Sequence, residues 1–207
     1  MWILIIFGGI LILVVIAVGL LRIYIDGFTE IKKPAIYLYP REDSFVNVQL
    51  EINGKLTKNI PVYNNGWNVF VTKEGLIDNK YDYLFYEAKL KQIELPNEGW
   101  VVKYEDLENW FEINLILLGL NEKEKNQFKE YWLNELSYSN YYKIELFEDS
   151  FLKENMDLKI SPQPNTLIRL NFNFKALNKK IVISEPMIIT PKRIGFTVVE
   201  WGGVTEN

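Results

Sequence analysis

Cysteine and histidine are both absent from the 207 residues of this sequence. Their absence excludes Cys/His zinc sites, iron–sulfur clusters, thiol nucleophiles and every catalytic triad that uses a histidine base. Disulfide bonds are excluded as well, which fits a reducing compartment and equally fits an exported protein that folds without them. We therefore expect no metal and no cofactor.

An excess of basic residues is also missing. Lysine and arginine number 23 against 27 aspartates and glutamates, which gives a net charge of −4. Nucleic-acid binding requires a basic face, so we expect no nucleic acid among the partners. A phosphate-binding loop is not indicated either, because the Gly202-Gly203 pair follows a predicted strand and opens no helix.

A long uncharged run, Trp2–Leu21, is the most extended feature that is present. A helix rises about 1.5 Å per residue, so a run of this length spans roughly the 30 Å hydrocarbon core of a bilayer. A cleavable signal peptide, the alternative, would have a shorter apolar run and a basic segment before it. We therefore predict a single-pass membrane anchor at residues 2–21, with the lipid bilayer as its partner.

A short stalk at residues 22–33 and one domain at residues 34–207 are predicted to follow the anchor. The charges near the anchor bear on which side of the membrane holds the domain. Arg22, Lys32 and Lys33 follow the apolar run while almost no positive charge precedes it, and this distribution favours a cytoplasmic domain. Three side chains carry this signal, and two of them lie about ten residues from the predicted span.

Alternating apolar and polar residues predict strands in most of the domain. The pattern is clearest at Phe45–Ile52 and Thr166–Leu177, where apolar side chains occupy every second position. Asn53-Gly54 follows the first of these and predicts a two-residue hairpin turn into a return strand at Lys55–Tyr63. Short, evenly spaced strands of this kind are typical of an antiparallel sandwich or barrel.

Two helices are predicted to interrupt the strands. Asp106–Leu118 is apolar around most of its circumference, which indicates a buried helix, and Gly119 fits its C-terminal cap. Asn121 opens a second helix that ends near Leu136, with Glu124 three positions after Asn121 as in a capping box. We therefore predict the α+β class: a mostly antiparallel β sandwich or barrel with an inserted helical hairpin, preceded by an N-terminal transmembrane helix.

Two stretches at the ends of the domain are recognisable together. Lys33–Pro40 (KPAIYLYP) and Gly195–Gly203 (GFTVVEWGG) resemble the two ends of an uncharacterised family of mostly bacterial proteins. Between these ends, the same pattern is fitted by Gly66-Trp67, Tyr83–Glu87 and Tyr131-Trp132. Members commonly carry an N-terminal membrane segment or export signal, so the resemblance implies a domain outside the cytoplasm. It implies no activity and assigns no catalytic residues.

Two glutamates are predicted to lie in line with apolar strand faces. At alternate positions, Glu200 shares a face with Phe196, and Glu87 lies in the same way on an aromatic face. A carboxylate in such a position is costly unless it is protonated, hydrogen-bonded or paired. The two are candidates for the general acid and the nucleophile of a glycosidase-like reaction. In the structural alternative, each reaches solvent at its strand end or pairs with Arg169 or Arg193.

Aromatic and arginine side chains form a second group of candidates. Rings near strand ends or turns could stack on a sugar or a peptide, and ordinary core packing is the alternative for each ring. The rings of this kind are Tyr37, Tyr39, Tyr63, Trp67, Trp100 and Trp201. The residues selected as candidate ligand-binding groups are Tyr39, Trp67, Arg169, Arg193 and Trp201.

An anchor followed by a β-rich domain without the usual catalytic groups favours a binding or assembly module at a membrane surface. An envelope glycan or another membrane protein is the expected partner. The alternative function is a carboxylate-dependent hydrolase that acts on envelope glycans through Glu87 and Glu200. Catalysis of this kind requires both carboxyl groups in one cleft, about 5–10 Å apart, whereas binding requires exposed rings on one surface.

Overall fold

The computed structural model of this chain describes residues 28–91 and 93–206. The predicted membrane anchor, residues 2–21, lies outside these residues, as does the first half of the predicted stalk. Within the described part of the chain, no helix is long and apolar enough to cross a membrane.

The described residues contain ten strands and three helices. The strands are β1 (Thr29–Tyr39), β2 (Ser44–Ile52), β3 (Gly54–Ile60), β4 (Trp67–Val71), β5 (Leu84–Leu90), β6 (Trp100–Lys103), β7 (Tyr141–Leu146), β8 (Met156–Ser161), β9 (Thr166–Leu177) and β10 (Thr197–Glu206). The helices are α1 (Leu107–Leu117), α2 (Glu122–Glu135) and α3 (Asp149–Asn155), with a 3-10 turn (Tyr104–Asp106) before α1. The domain is therefore mostly β with helices, as predicted, and α1 and α2 are the predicted helical hairpin.

The strands form two sheets. The large sheet has seven strands in the order β3-β5-β1-β10-β9-β7-β6, and the small sheet has three in the order β4-β2-β8. Paired strands are antiparallel except for β9 and β10, which are parallel. The large sheet ends at β3 on one side and at β6 on the other, so it is an open sheet rather than a barrel.

The large sheet is covered on both faces. One face packs against the small sheet, and the other packs against α1 and α2. In β10, Val198 and Val204 lie in the first of these cores, and Val199 and Trp201 lie in the second. A strand that is buried on both faces is apolar along most of its length. Glu200 is the charged exception among the buried residues of this strand, and it is fully enclosed.

The helical hairpin is held on the sheet by ring packing. Asn121 caps α2: its side-chain oxygen accepts from the Glu124 N–H, and the Glu124 carboxylate accepts from the Asn121 N–H, each at 2.9 Å. Trp132 of α2 is fully buried, with its ring centroid 4.5 Å from that of Phe174 in β9. Gly203 lies under the same indole, because a Cβ there would come within 3.0 Å of it. The contact between α2 and β10 therefore requires glycine at this position.

A long connection, residues 178–196, joins the parallel strands β9 and β10. Between two parallel neighbours the chain must return along the sheet before the second strand begins. For a strand as long as β9, the length of this return is about 40 Å. On this return Ile188 packs against the helical core, and Arg193 bonds the carboxylate of Glu124. The connection is thus attached to the helical hairpin rather than free of it.

Two features differ from the sequence prediction. Asn53-Gly54 forms no hairpin, because β2 belongs to the small sheet and β3 to the large one, so this pair carries the chain between sheets. Gly54 is needed there because a Cβ would lie 1.9 Å from the backbone oxygen of Lys89 in β5. Strand β1 begins at Thr29, so residues 29–33 of the predicted stalk belong to the sheet. Both differences come from pairing with distant strands, which local patterns do not report.

Trp132→Ala should lower the free energy of unfolding by about 3–5 kcal/mol, because it opens a cavity in an enclosed aromatic core. Tyr138→Ala is the matched control, since Tyr138 is 80% exposed; its loss should change the same quantity by less than about 0.5 kcal/mol. Urea unfolding of the full chain in detergent, followed by circular dichroism, measures both variants. A Trp132 variant as stable as the control would contradict the packing of α2 on this face.

Candidate functional site

A β-bulge in β1 brings two consecutive lysines to the same face of the large sheet. From Lys32 to Ala35, β1 advances three residues while its partner β10 advances two. The pairing with β5 shows the same single extra residue in β1, between Ile31 and Ala35. Lys33 has a φ of +56°, a left-handed conformation that is uncommon outside glycine. Strict alternation would send Lys32 and Lys33 to opposite faces. With the bulge, Lys32 pairs with Glu135 of α2, and Lys33 lies against Tyr131 of the same helix.

Strand β10 has a glycine, Gly202, at the position closest to the bulge of β1. A Cβ on Gly202 would lie 2.8 Å from the side-chain oxygen of Asn171 and 3.0 Å from the backbone nitrogen of Pro34. Glycine at this position therefore makes room for the bulge. The two stretches that carry the family resemblance, Lys33–Pro40 and Gly195–Gly203, are thus neighbours in the sheet and fit each other.

The Lys33 ammonium lies among three aromatic rings. Its Nζ atom is 4.8 Å from the ring centroids of Tyr83 and Phe85 and 5.7 Å from that of Tyr131. The ammonium also donates a hydrogen bond to the Tyr83 hydroxyl at 2.8 Å. Ring faces attract a cation electrostatically, while their bulk removes part of its water. Lys33 is therefore a partly desolvated cation.

A surface groove has two lobes that meet at Lys33. Each lobe is about 400 Å³ in volume. One lobe lies over β5 and β3, on the part of the helix-side face that the two helices do not cover, and the other runs along α2. Both lobes are lined by Lys33, Tyr83, Gln127 and Tyr131. This Lys33 groove thus has sheet for its floor and helix α2 for its wall.

The α2 wall of the groove is held in place by hydrogen bonds. Gln127 accepts from the Tyr37 hydroxyl at 2.7 Å and donates to Asp82 at 3.2 Å. Asp82 also accepts from Lys123 at 2.6 Å, and this hydrogen bond holds the pKa of the Asp82 carboxyl below its usual range. These bonds link β1, the loop before β5 and α2. A ligand in the groove would find one wall already ordered, which lowers the entropic cost of binding.

Tyr131 keeps its phenolic proton at neutral pH. Burial raises its pKa to about 12, and the carboxylates of Glu135, Glu87 and Glu30 add to the effect. Tyr131 therefore presents an apolar ring together with a hydroxyl that can donate. Of the two glutamates predicted for catalysis, Glu87 is the one in this groove, with its Oε1 3.8 Å from the Lys58 Nζ.

Glu200 lies on the other face of the large sheet, in a buried network. Its carboxylate accepts hydrogen bonds from the Tyr86 hydroxyl at 2.7 Å, Arg169 Nε at 2.7 Å and Asn171 Nδ2 at 3.0 Å. Arg169 also donates to the backbone oxygen of Met156 at 2.6 Å. Burial, followed by the Glu200 charge, raises the pKa of Tyr86 well above its ordinary value. The carboxylate is satisfied within the core, and Arg169 is its partner.

The two candidate carboxylates are not brought together. Tyr86, which bonds Glu200, and Glu87 are consecutive in β5, so their side chains point to opposite faces of the large sheet. Glu87 lines the groove on the helix side, and Glu200 is enclosed on the side of the small sheet. The thickness of the sheet therefore separates the pair that a two-carboxylate hydrolysis would require in one cleft.

Arg193 and Tyr39 belong to a second, partly buried cluster at the start of α2. Arg193 forms a two-point ion pair with Glu124, with N–O distances of 2.8 and 2.9 Å, and donates to the backbone oxygen of Gly119 at 3.1 Å. Its guanidinium carbon lies 5.0 Å from the Tyr39 ring centroid. The Tyr39 hydroxyl accepts from Asn121 at 3.3 Å. The polar groups of this cluster attach the β9–β10 connection to the helical hairpin.

For Trp67 and Trp201, the two tryptophans among the candidate ligand-binding residues, the structure shows the alternative, core packing. Trp201 is fully enclosed, with its ring centroid 5.3 Å from that of Phe128 in α2. Trp67 is 2% exposed, and its indole N–H donates to the backbone oxygen of Pro61 at 2.8 Å. Both rings lie on strand faces that another layer covers, so they pack the two cores instead.

The sequence prediction identified one groove residue, Glu87. Lys33, Tyr83 and Tyr131 come from three segments that are far apart in the chain, so no single local motif contains all three, although each opens a stretch that carries the family resemblance. One signal does point to the site: a proline that follows Lys33 within a strand-forming segment. Proline inside a sheet is confined to edges and bulges, and bulges redirect side chains, often beside functional sites.

A curated relative resembles part of the chain. An uncharacterized protein in the bglA 3′ region of Butyrivibrio fibrisolvens is 48% identical over 62 residues, a match that spans 27% of this chain and 65% of the relative. The match thus covers less than two thirds of that protein. No family model matches the chain, and no solved structure matches it.

Glu200→Gln should lower the free energy of unfolding by about 3–5 kcal/mol, because it leaves the buried Arg169 guanidinium without a carboxylate. Glu105→Gln is the matched control, since that side chain is 73% exposed. Thermal unfolding of the full chain in detergent compares the two variants with wild type. A melting temperature that is unchanged or raised in the Glu200 variant would contradict a structural role for this carboxylate.

Asp82→Asn should weaken the groove wall in a pH-dependent way. The lowered pKa of Asp82 means that its contribution to stability is present above the ordinary carboxyl pKa of about 4 and is lost as the pH falls through the lowered value. The carboxylate is 44% exposed, so we expect a difference of only about 0.2–1 kcal/mol from wild type. Urea unfolding at a series of pH values measures it, and a difference that stays constant down to strong acid would refute the assignment.

Proposed function

We propose that this chain is a binding or assembly module, held at a membrane by residues 2–21, that takes its ligand in the Lys33 groove. One observation carries the proposal: a bulge holds Lys33 in a left-handed conformation that directs its ammonium among three rings, where the two lobes meet. Such a conformation costs on the order of 1–3 kcal/mol. Strained backbone conformations of this kind cluster at binding and catalytic sites, where the strain is part of the function.

The groove combines ring faces with hydrogen-bonding groups. Tyr83, Phe85 and Tyr131 supply the rings, while Gln127 and Glu87 supply polar atoms beside them. Ligand sites commonly combine an apolar lining with a few placed polar groups. Sugars present both kinds of surface, so among the expected partners the lining favours an envelope glycan.

An extracytoplasmic position for the domain is part of this proposal. It follows from the family resemblance, whereas the charges after the apolar run favour the opposite orientation. Those charges are only three, and two of them, Lys32 and Lys33, lie about ten residues from the predicted span.

The hydrolase alternative has less support. Its mechanism needs Glu87 and Glu200 in one cleft, and the two lie on opposite faces of the large sheet. Glu87 alone, close to Lys58, would serve a binding site by accepting hydrogen bonds from ligand hydroxyl groups.

Tyr131→Ala tests the proposed function. Purified bacterial cell-wall sacculi serve as the probe, and the full chain in detergent is pelleted with them. Loss of one stacking ring should weaken binding by about three- to tenfold. Tyr138→Ala is the matched control, because it removes a tyrosine that is 80% exposed and lies outside the groove.

Two results of this experiment would overturn the proposal. The first is wild-type chain that stays in the supernatant at every amount of sacculi. The second is an equal loss of binding in the Tyr131 and Tyr138 variants, which would locate the contact outside the Lys33 groove. Thermal unfolding of both variants checks that each keeps its fold.

A further inference from the structure

We propose that the Lys33 groove recognises an anionic glycan, and that the Lys33 ammonium binds the negatively charged group of this ligand. The inference rests on the proposed function and adds the charge of the ligand to it. Its basis is a cation that the protein directs into a groove and for which the described residues, 28–91 and 93–206, supply no counter-ion. The shared chemistry is a sugar chain with an anionic group, which a carboxylate or a phosphodiester can supply.

Lys33 differs from the neighbouring lysines in its partners. Lys32 pairs with Glu135, Lys123 pairs with Asp82, and Lys58 lies 3.8 Å from Glu87. In contrast, Lys33 forms no salt bridge with any residue of the ranges 28–91 and 93–206. Its hydrogen bond to the Tyr83 hydroxyl uses one of three ammonium protons. Two donors of a partly desolvated cation therefore remain for a ligand.

A second lysine, Lys80, lies in the lobe over β5 and β3. The Lys80 Nζ atom is 4.9 Å from the ring centroid of Tyr81, and within the described part of the chain it too forms no salt bridge. The acidic groups of the same lobe, Asp82 and Glu87, each have a lysine nearby. The cations of this lobe thus exceed its carboxylates, which favours an anionic ligand there.

The lobe along α2 is lined mainly by groups that accept hydrogen bonds. Glu130 lines it and forms no salt bridge among the residues that the structure describes, while Asn134 adds an amide. Carboxylate and amide oxygens accept hydrogen bonds from hydroxyl groups. The groove therefore offers positive charge for an anionic group, at Lys33 and in the lobe over β5 and β3, and acceptor groups along α2 for uncharged sugar hydroxyls.

The floor of the groove argues against an acidic peptide as the ligand. A peptide that adds to a sheet pairs with the backbone of an edge strand. The floor consists of side chains on the face of β1, β5 and β3, and the backbones of β1 and β5 are paired with neighbours on both sides. The part of the floor that β1 and β5 form therefore offers rings and charges but no free backbone ladder, which suits a sugar chain better.

The experiment measures the affinity of the full chain in detergent for three soluble probes by calorimetry. The probes are an oligogalacturonate, which carries carboxylates, a glycerol phosphate polymer, which carries phosphodiesters, and a neutral galactan of matched length. We expect at least one anionic probe to bind about tenfold or more tightly than the neutral one at low salt, with the preference reduced at high salt. The stronger of the two anionic probes identifies the source of the charge.

Lys33→Gln should remove the preference for the anionic probe, and Lys33→Arg should keep most of it. Lys80→Gln changes an exposed residue and should reduce the preference in part, so the inference stays testable if the Lys33 variant does not fold. Lys73→Gln is the matched control, since that side chain is 66% exposed and lies outside the groove. It should bind all three probes as wild type does.

Several outcomes would overturn the inference. Equal affinity for anionic and neutral probes, with binding still weakened by Tyr131→Ala, would refute the charge assignment and leave the proposed function standing. Failure of the chain to bind the probes and the cell-wall sacculi would refute both. Binding to vesicles of anionic phospholipid, without binding to either anionic glycan, would identify a membrane surface as the ligand instead.

Discussion

The pairing of β1 with β10 is the contact on which the rest of the structure depends. The two strands come from opposite ends of the described chain and lie side by side within the large sheet, with Lys32 opposite Gly203. Side chains of both strands enter both cores, one beneath the small sheet and the other beneath the helices. Neither core is complete until the two ends of the domain have met, and the groove forms beside the bulge in the same pair.

A buried ion pair sets the register of β10 against its other neighbour, β9. Glu200 and Arg169 are direct partners in this parallel pairing and lie on the face towards the small sheet. A slip of one residue would turn every side chain of β10 to the other face. It would also leave two charges unpaired in an apolar core, which costs several kcal/mol. The pair thus opposes incorrect registers, whatever its net contribution to stability.

The sequence by itself determined the features that depend on neighbouring residues. Alternation identified the strands at Phe45–Ile52 and Thr166–Leu177, and the capping pattern at Asn121 located the second helix. Alternation also put Glu200 on an apolar face, where its burial required a partner such as Arg169. These features were predictable because a side chain's face, and a helix's first turn, are set within a few residues.

Only the tertiary structure decided which strands pair and which side chains meet. It put β2 and β3 in different sheets, Glu87 and Glu200 on opposite faces, and Lys33 beside Tyr83 and Tyr131. Strand pairing uses backbone N–H and C=O groups, which every residue except proline carries alike, so the local sequence says little about the partner. The groove exists because two helices are too few to cover all seven strands, and that mismatch between layers appears only once they have packed.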